Sequence, residues 1–590
     1  MNTLRNGDRT QFSRLLRENS GAANAKGPGG WTPIMYAALY GDAATVNLLL
    51  TGGANPNAQN DDGGTALMYA IDSEQKTKML LDHGANPNLR SGEGRTALVI
   101  AVGRAGCYPV VKLLLDKGAD ARIEPSDGPG LLNSATGSLD PRVFQLLLDH
   151  GASSKALPLS PLLVAGCTAC FDMLLPLANS AGLAGGLQGA IRTGDIPRIK
   201  TLLDRGARPG ASLLQTVAAS RAPIPAETIR SLISHGADVN AKTSSGLTMV
   251  DFAKKQGNAT LVDILTQAGV SGENSAPPVL LGKPAPSPRA AMERIIPSLQ
   301  RADAAFLSRG GCVSCHNNSL TAMTIAAARA KGVTFNDQIA KDQSRKIAAF
   351  LRENAERALE NEGLPGAVDT VSYILLGMAA YGYPSDPVTD VWSRFVKNNQ
   401  SSDGRWVCIA LRPPLESSDF QVTAASIRSL KTYHPKSQET DFEKSVERGV
   451  RWLEAATPNT TEDLVFKILG LTWGGGSRSA IRATAQELLA RQSADGGWSQ
   501  TRALHSDAYA TGQALVALKE SNAIPTGDRA YQRGVQYLLN SQLQDGSWHV
   551  QSRTPAFQPY FDSDFPHGSD QFISAAASNW AAMALATVVR

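Results

Sequence analysis

A leucine-rich segment ending in glycine and alanine returns through the first half of the chain. Leu48-Leu49-Leu50-Thr51-Gly52-Gly53-Ala54-Asn55 reappears as Met79-Leu80-Leu81-Asp82-His83-Gly84-Ala85-Asn86. Further copies end at Gly118-Ala119-Asp120, Gly151-Ala152-Ser153, Gly206-Ala207-Arg208 and Gly236-Ala237-Asp238. Successive repeat glycines, from Gly53 to Gly236, lie 31, 34, 33, 55 and 30 residues apart, and the long interval holds one degenerate unit around Leu174-Leu175. A unit of this length cannot bury its own apolar face, so the units must stack into a solenoid.

Within each unit the chemistry indicates two helices. Trp31-Thr32-Pro33 and Gly64-Thr65-Ala66 open the first, where the threonine can cap exposed backbone N–H groups. The leucine pairs form the buried stripe of the second, and the glycine after them suits a left-handed helix end. This pattern resembles ankyrin repeats over residues 1–272, in about eight or nine units. The resemblance implies a concave surface that recognises a protein partner. His83, His150 and His235 each precede a repeat glycine and read as helix-end surface residues. Cys167 and Cys170 form a CxxC inside a packed helix and read as small buried residues, not a redox pair. At the start, Leu4-Arg5-Asn6-Gly7-Asp8 reads as the end of a first helix. Either a ragged capping repeat or a start further upstream, with an export signal, would account for it.

A proline-rich run over 273–289 marks a linker, and a different repeat follows it. Gln400-Ser401-Ser402-Asp403-Gly404-Arg405-Trp406 recurs as Gln492-Ser493-Ala494-Asp495-Gly496-Gly497-Trp498 and as Gln542-Leu543-Gln544-Asp545-Gly546-Ser547-Trp548. The Asp-Gly pair makes a tight turn. The glutamine can bond a neighbouring helix end, and the tryptophan can pack into the adjacent hairpin. Acids at Asp369, Asp419, Asp463, Asp507 and Asp570 each open an apolar, alanine-rich run, where they can cap or charge-stabilise a helix start. These features resemble the QW motifs of squalene-cyclase and prenyltransferase proteins. The expected fold is all-α: an ankyrin-repeat solenoid, then an (α/α)6 toroid over 290–590. Class II cyclases carry a proton-donating acid in a motif that falls on Asp419-Phe420-Gln421-Val422-Thr423-Ala424, but its central acid is Gln421 here. An amide cannot donate that proton. The zinc-binding histidine of prenyltransferases falls on Ala510. Asp419 remains the acid to test if the toroid is an isoprenoid or triterpene cyclase-like enzyme.

Gly311-Cys312-Val313-Ser314-Cys315-His316 contains CxxCH and resembles the attachment site of a c-type haem. The resemblance implies thioether bonds from Cys312 and Cys315 and iron ligation by His316. A redox dithiol, a local disulfide or half of a zinc site are the alternatives. The motif immediately precedes an alanine-rich helix, so haem would lie at the mouth of the toroid. His567, before the last inner helix, is the first candidate for the opposite ligand or an acid–base role, and His505 the second. The leading expectation is a haem-bearing toroid for electron transfer or haem-dependent oxidation, acting on a redox partner or a small hydrophobic substrate and docked to a protein by its ankyrin repeats. A non-enzymatic scaffold of two interaction modules is the alternative from another class.

Composition narrows the remaining classes. Lys and Arg total 57 against 53 Asp and Glu, for a net charge of +4, which gives no footing for nucleic acid. No apolar stretch is long enough for a transmembrane segment. Covalent haem would place the protein in the bacterial periplasm or outside the cell; without haem the expectation is cytoplasmic.

Overall fold

The computed structural model describes residues 2–19, 21–123, 130–273, 280–310, 313, 316–410, 412–554 and 560–589. They are helical throughout, apart from a short antiparallel pair, Trp498–Ser499 with Ser506–Asp507, and isolated bridges.

In the first half, nine helix pairs follow one another, from Asn2–Arg5 with Arg9–Glu18 to Met249–Gln256 with Ala259–Gln267. Thr65 caps its helix as the sequence implies, and Thr96 and Thr248 do likewise, accepting bonds from the N–H groups of Met68, Val99 and Asp251; the buried Thr32 hydroxyl, also expected to cap, has no hydrogen-bond partner among the described residues. Second helices end on glycines with φ near +85°, such as Gly53, Gly84 and Gly118. His83, His150 and His235 sit at the C-caps, with Nδ1 against the carbonyl four residues back. Register between units is held by an amide ladder. Asn57 donates to the Gly84 carbonyl and accepts from the Asn86 N–H, and Asn88 does the same for Gly118 and Asp120. Cys167 and Cys170 correct the sequence reading: both are buried, but they are joined in a disulfide at the start of helix Thr168–Leu174.

The second half alternates outer and inner helices. The inner ones are Asn317–Ala330, Ala367–Ala380, Asp419–Thr432, Thr461–Gly474, Ala508–Glu520 and Gln571–Ala586, and most of their residues are buried on every side. Each packs on the next, and the sixth packs on the first, so the packing closes on itself. The outer helices, such as Arg529–Ser541, are amphipathic and expose one face.

The three Gln-to-Trp turns hold this arrangement in the same way. The amides of Gln400, Gln492 and Gln542 each donate twice: once within the turn, to the carbonyls of Gly404, Gly496 and Gly546, and once to the start of another outer helix, at Ser445, Ala530 and Ala291. The buried indoles of Trp406, Trp498 and Trp548 donate to Val396, Leu488 and Leu538. Gly404, Gly496 and Gly546 all have φ of +89° or more, and a Cβ there would meet the carbonyl of Arg448, Arg533 or Arg294 at 2.9 Å or less. Only glycine suits both conditions. The third turn reaches Ala291 on the first outer helix, so it joins the last hairpin to the first. The segment before that helix adds to the closure, with Lys283 and Ala285 donating to the carbonyls of Gln542 and Leu539.

Candidate functional site

The two halves meet along a long seam. On the array it is built from the ends of the first helices of successive repeats. On the ring it is built mainly from the segments leading into the inner helices. Arg394, buried, donates to the Tyr69 carbonyl at 2.7 Å and pairs with Asp72 at 3.0 Å, holding that carboxyl well below the usual carboxylate range. Arg5 pairs with Asp390, the Tyr69 hydroxyl donates to Glu356, and Ser91 donates to Glu360. Further along, Arg405 donates to Ala165, Arg192 to Ile409, and Gln256 to Arg553. Arg221 donates to the Cys408 carbonyl at 2.6 Å and pairs with Asp419 at 3.4 Å.

This seam overlies the N-terminal ends of the inner helices, where the acids gather. Four of the five acids named from the sequence are engaged. Asp419 accepts from the Cys408 N–H and pairs with Arg405 and Arg221. Asp463 accepts from Thr460 and Ser418, Asp507 from Ala510 and Gln500, and Asp570 from Ser552 and His549. Asp369 differs. It is 2% exposed, and among the described residues neither carboxylate oxygen has a hydrogen-bond partner. Burial, with Glu416 and Glu462 nearby, pushes its carboxyl well above the usual range.

Glu462 is the candidate residue that sequence reading passed over. It is buried beside Asp463 in the first turn of the fourth inner helix. It accepts from the Tyr509 hydroxyl at 2.8 Å and from the amide of Gln513 at 3.5 Å. Burial and the Asp463 charge push its carboxyl up to about 8, so it holds its proton at neutral pH and can donate it. A small pocket of about 20 Å³, room for about one water, opens against it, lined also by Ser417, Tyr509, Ala510, Gln513 and Arg553. The available signal was the doubled acid, Glu462-Asp463, ahead of an apolar run.

The sequence-derived candidates are separated. His316 is buried at the N-cap of the first inner helix, with its ring 4.5 Å from that of Tyr373 and Nε2 at 3.1 Å from the amide nitrogen of Gln421. Burial brings its pKa down to about 4, so it is neutral. His567, half-buried with φ of +87°, meets Ser547 Oγ at 2.7 Å, and its ring lies 4.9 Å from that of His549 at a tilt of 57°. His505 is exposed on the loop before the fifth inner helix. Cys312 and Cys315 lie outside the described residues. A neutral imidazole is the right charge state for an iron ligand, but as packed, Gln421 occupies the space at Nε2 that iron would need. Among the described residues no group of three or more His, Cys, Asp or Glu side chains is placed to hold a metal.

Fold and site together define an all-α protein in which a repeat solenoid lies across a ring of helices with a polar interior. A family model for ankyrin repeats, in three copies, matches residues 1–91 and 34–125, so this part of the chain carries ankyrin repeats, a fold used for protein interaction. Among the described residues no helix is long and apolar enough to cross a membrane.

Proposed function

We propose that the chain is an ankyrin-repeat protein whose array grips, in cis, an (α/α)6 toroid of the squalene-cyclase and prenyltransferase kind, and that the toroid's polar interior binds a ligand beneath that array. The closed cycle of inner helices and the three matching Gln-to-Trp turns support the toroid. The observation that carries the reading is the seam itself: first-helix ends from the third repeat to the last bond the segments around the acids. Ankyrin arrays recognise proteins, and here the surface recognised is the chain's own. Isoprenoid cyclisation and zinc-dependent prenyl transfer draw little support, because Gln421 stands where the cyclases resembled carry their acid and Ala510 where the prenyltransferases carry their zinc histidine. The test is to place a protease site within 273–289 and cut the purified protein. The two pieces are expected to co-elute on size exclusion, and an Arg394→Ala, Arg221→Ala double variant is expected to separate them. Pieces that part without those substitutions overturn the reading.

Covalent haem c at Cys312 and Cys315 is a second reading, favoured by a neutral His316 at the start of the first inner helix. His316 would ligate the iron after giving up Gln421, and the group would supply one-electron chemistry when bound. The Cys167–Cys170 disulfide supports the exported location that this reading needs. A pyridine haemochrome spectrum of protein exported from a host with haem-attachment machinery should show a covalent band; a colourless product removes the reading.

A further inference from the structure

We infer that a phosphate-type dianion binds at the edge of the seam, between Arg104 of the array and Lys397 of the ring. This rests on the seam reading, since the two halves must stay docked to bring these residues together. Four cations gather there: Lys76 and Arg104 from the array, Arg394 and Lys397 from helix Pro387–Asn398 of the ring. Two are engaged. Arg394 holds Asp72 and the Tyr69 carbonyl, and Lys76 donates to the Ala38 carbonyl at 2.6 Å with Asp72 at 3.8 Å. The other two are not. Arg104, just past helix Ala97–Ala101, is 6% exposed, and neither its Nε nor its Nη1 has a hydrogen-bond partner among the described residues. Arg95, Arg198 and Arg357 also bury an unbonded Nε, but each holds an acid through another nitrogen. Arg104 holds none among the described residues. Lys397 Nζ meets only the face of Phe442, 5.4 Å from its centroid.

Contacts beside Arg104 tie it to the ring. A Cβ on Gly103 would meet Asn361 Nδ2 at 3.2 Å, and Asn361 Oδ1 accepts from Asn399, the C-cap of the helix that carries Arg394 and Lys397. Burial, and then the charge of Arg394, brings the Arg104 guanidinium down to about 10 from the ordinary 12.5; burial lowers Lys76 and Lys397 as well. The acids that act on these lysines are Asp72 and Asp441, and Asp441, on helix Glu439–Ala455, is largely exposed and paired with Lys444. Four cations thus face two acids, and one doubly charged anion removes the excess. Buried donors require acceptors. A phosphate supplies several acceptor oxygens on one centre, which suits a guanidinium and an ammonium together. Chloride carries half the charge on a single atom. The group opens to solvent beside Asp72, whose side chain is 17% exposed, and beside the partly exposed Lys397, so the anion reaches it from outside and no enclosed cavity is needed.

Isothermal titration calorimetry of the full chain in HEPES, at an ionic strength held constant with sodium chloride, tests this with inorganic phosphate and, separately, with glycerol 3-phosphate. One anion should bind per chain, and the tighter of the two tells whether the natural source is free or esterified. The bound anion should also raise the melting temperature read by circular dichroism, and chloride at the same ionic strength should not. Arg104→Gln and Lys397→Gln should each weaken binding by about tenfold or more and abolish the rise. Neither side chain makes a hydrogen bond or an ion pair among the described residues, so both variants should fold, and melts without phosphate check that they do. If one fails to fold, the other serves. No phosphate binding by the wild type, a rise that chloride reproduces, or binding that survives the substitutions overturns the anion site. The seam reading is decided apart from these outcomes, by the co-elution of the cut protein in phosphate-free buffer.

Discussion

Glu462 shows how far one carboxyl can be moved by its surroundings. Its folded pKa, about 8, lies above the unfolded value near 4.5, so the folded state holds a proton that the unfolded state releases. Its contribution to stability is therefore full below about pH 4.5 and is lost as pH rises through 8. Asp369 and Asp507 act in the same direction. His316 acts in the opposite one: its depressed pKa gives stability that is present above 6.5 and lost as pH falls through 4. The melting temperature of the wild type should thus fall between pH 5 and 8.5, and Glu462→Gln should fall less steeply, read by circular dichroism. Parallel slopes would mean that Glu462 is ionised at neutral pH. Sequence pointed to this stretch of helix starts and singled out Asp419 in it. Asp419 looks like a free acid in one dimension. Only the fold reveals that Arg221, from a distant repeat, and Arg405 pair with it while neither carboxylate oxygen of Asp369 has a hydrogen-bond partner among the described residues.

At the scale of the elements, most of the architecture was legible. Caps, repeat glycines and the Gln-to-Trp spacing are local, and local chemistry settles a helix start or a turn without long-range information. The roles of Gln400, Gln492 and Gln542 follow from the motif and are met by paired bonds in all three copies. What escaped depends on direction in space. The first and last inner helices do lie together, yet His567 turns to Ser547 because its backbone is left-handed. Cys167 and Cys170 gave no sign of bonding, since packing and pairing require the same burial. The glutamines can be weighed. Gln542→Ala leaves two buried carbonyls, at Gly546 and Ala291, without their donor and should cost about 1–3 kcal/mol in urea unfolding. A loss below about 0.5 kcal/mol would show that the closing contact rests on Trp548 alone.

For the whole molecule, the sequence gives two repeat systems and a linker but nothing of the surface they share. Arg394 and Asp72 lie more than 300 positions apart, and no period connects them. The array, expected to meet a separate protein, meets the ring along the ends of its first helices. Arg394 makes the separation variant informative, because its removal takes the donor from the Tyr69 carbonyl and leaves Asp72 with Lys76 alone as its ion-pair partner, at about 1–3 kcal/mol. Sequence and structure differ here for a plain reason. A repeat advertises its own stacking, whereas a seam between two finished surfaces is written in scattered arginines and carbonyls. The bond from Gln542 to Ala291 has a further consequence during synthesis. Repeats of the array can settle one behind another as they leave the ribosome. The hairpins that follow must wait unlatched until Gln542 has emerged, with the already formed solenoid as the nearest cover for their exposed alanine faces.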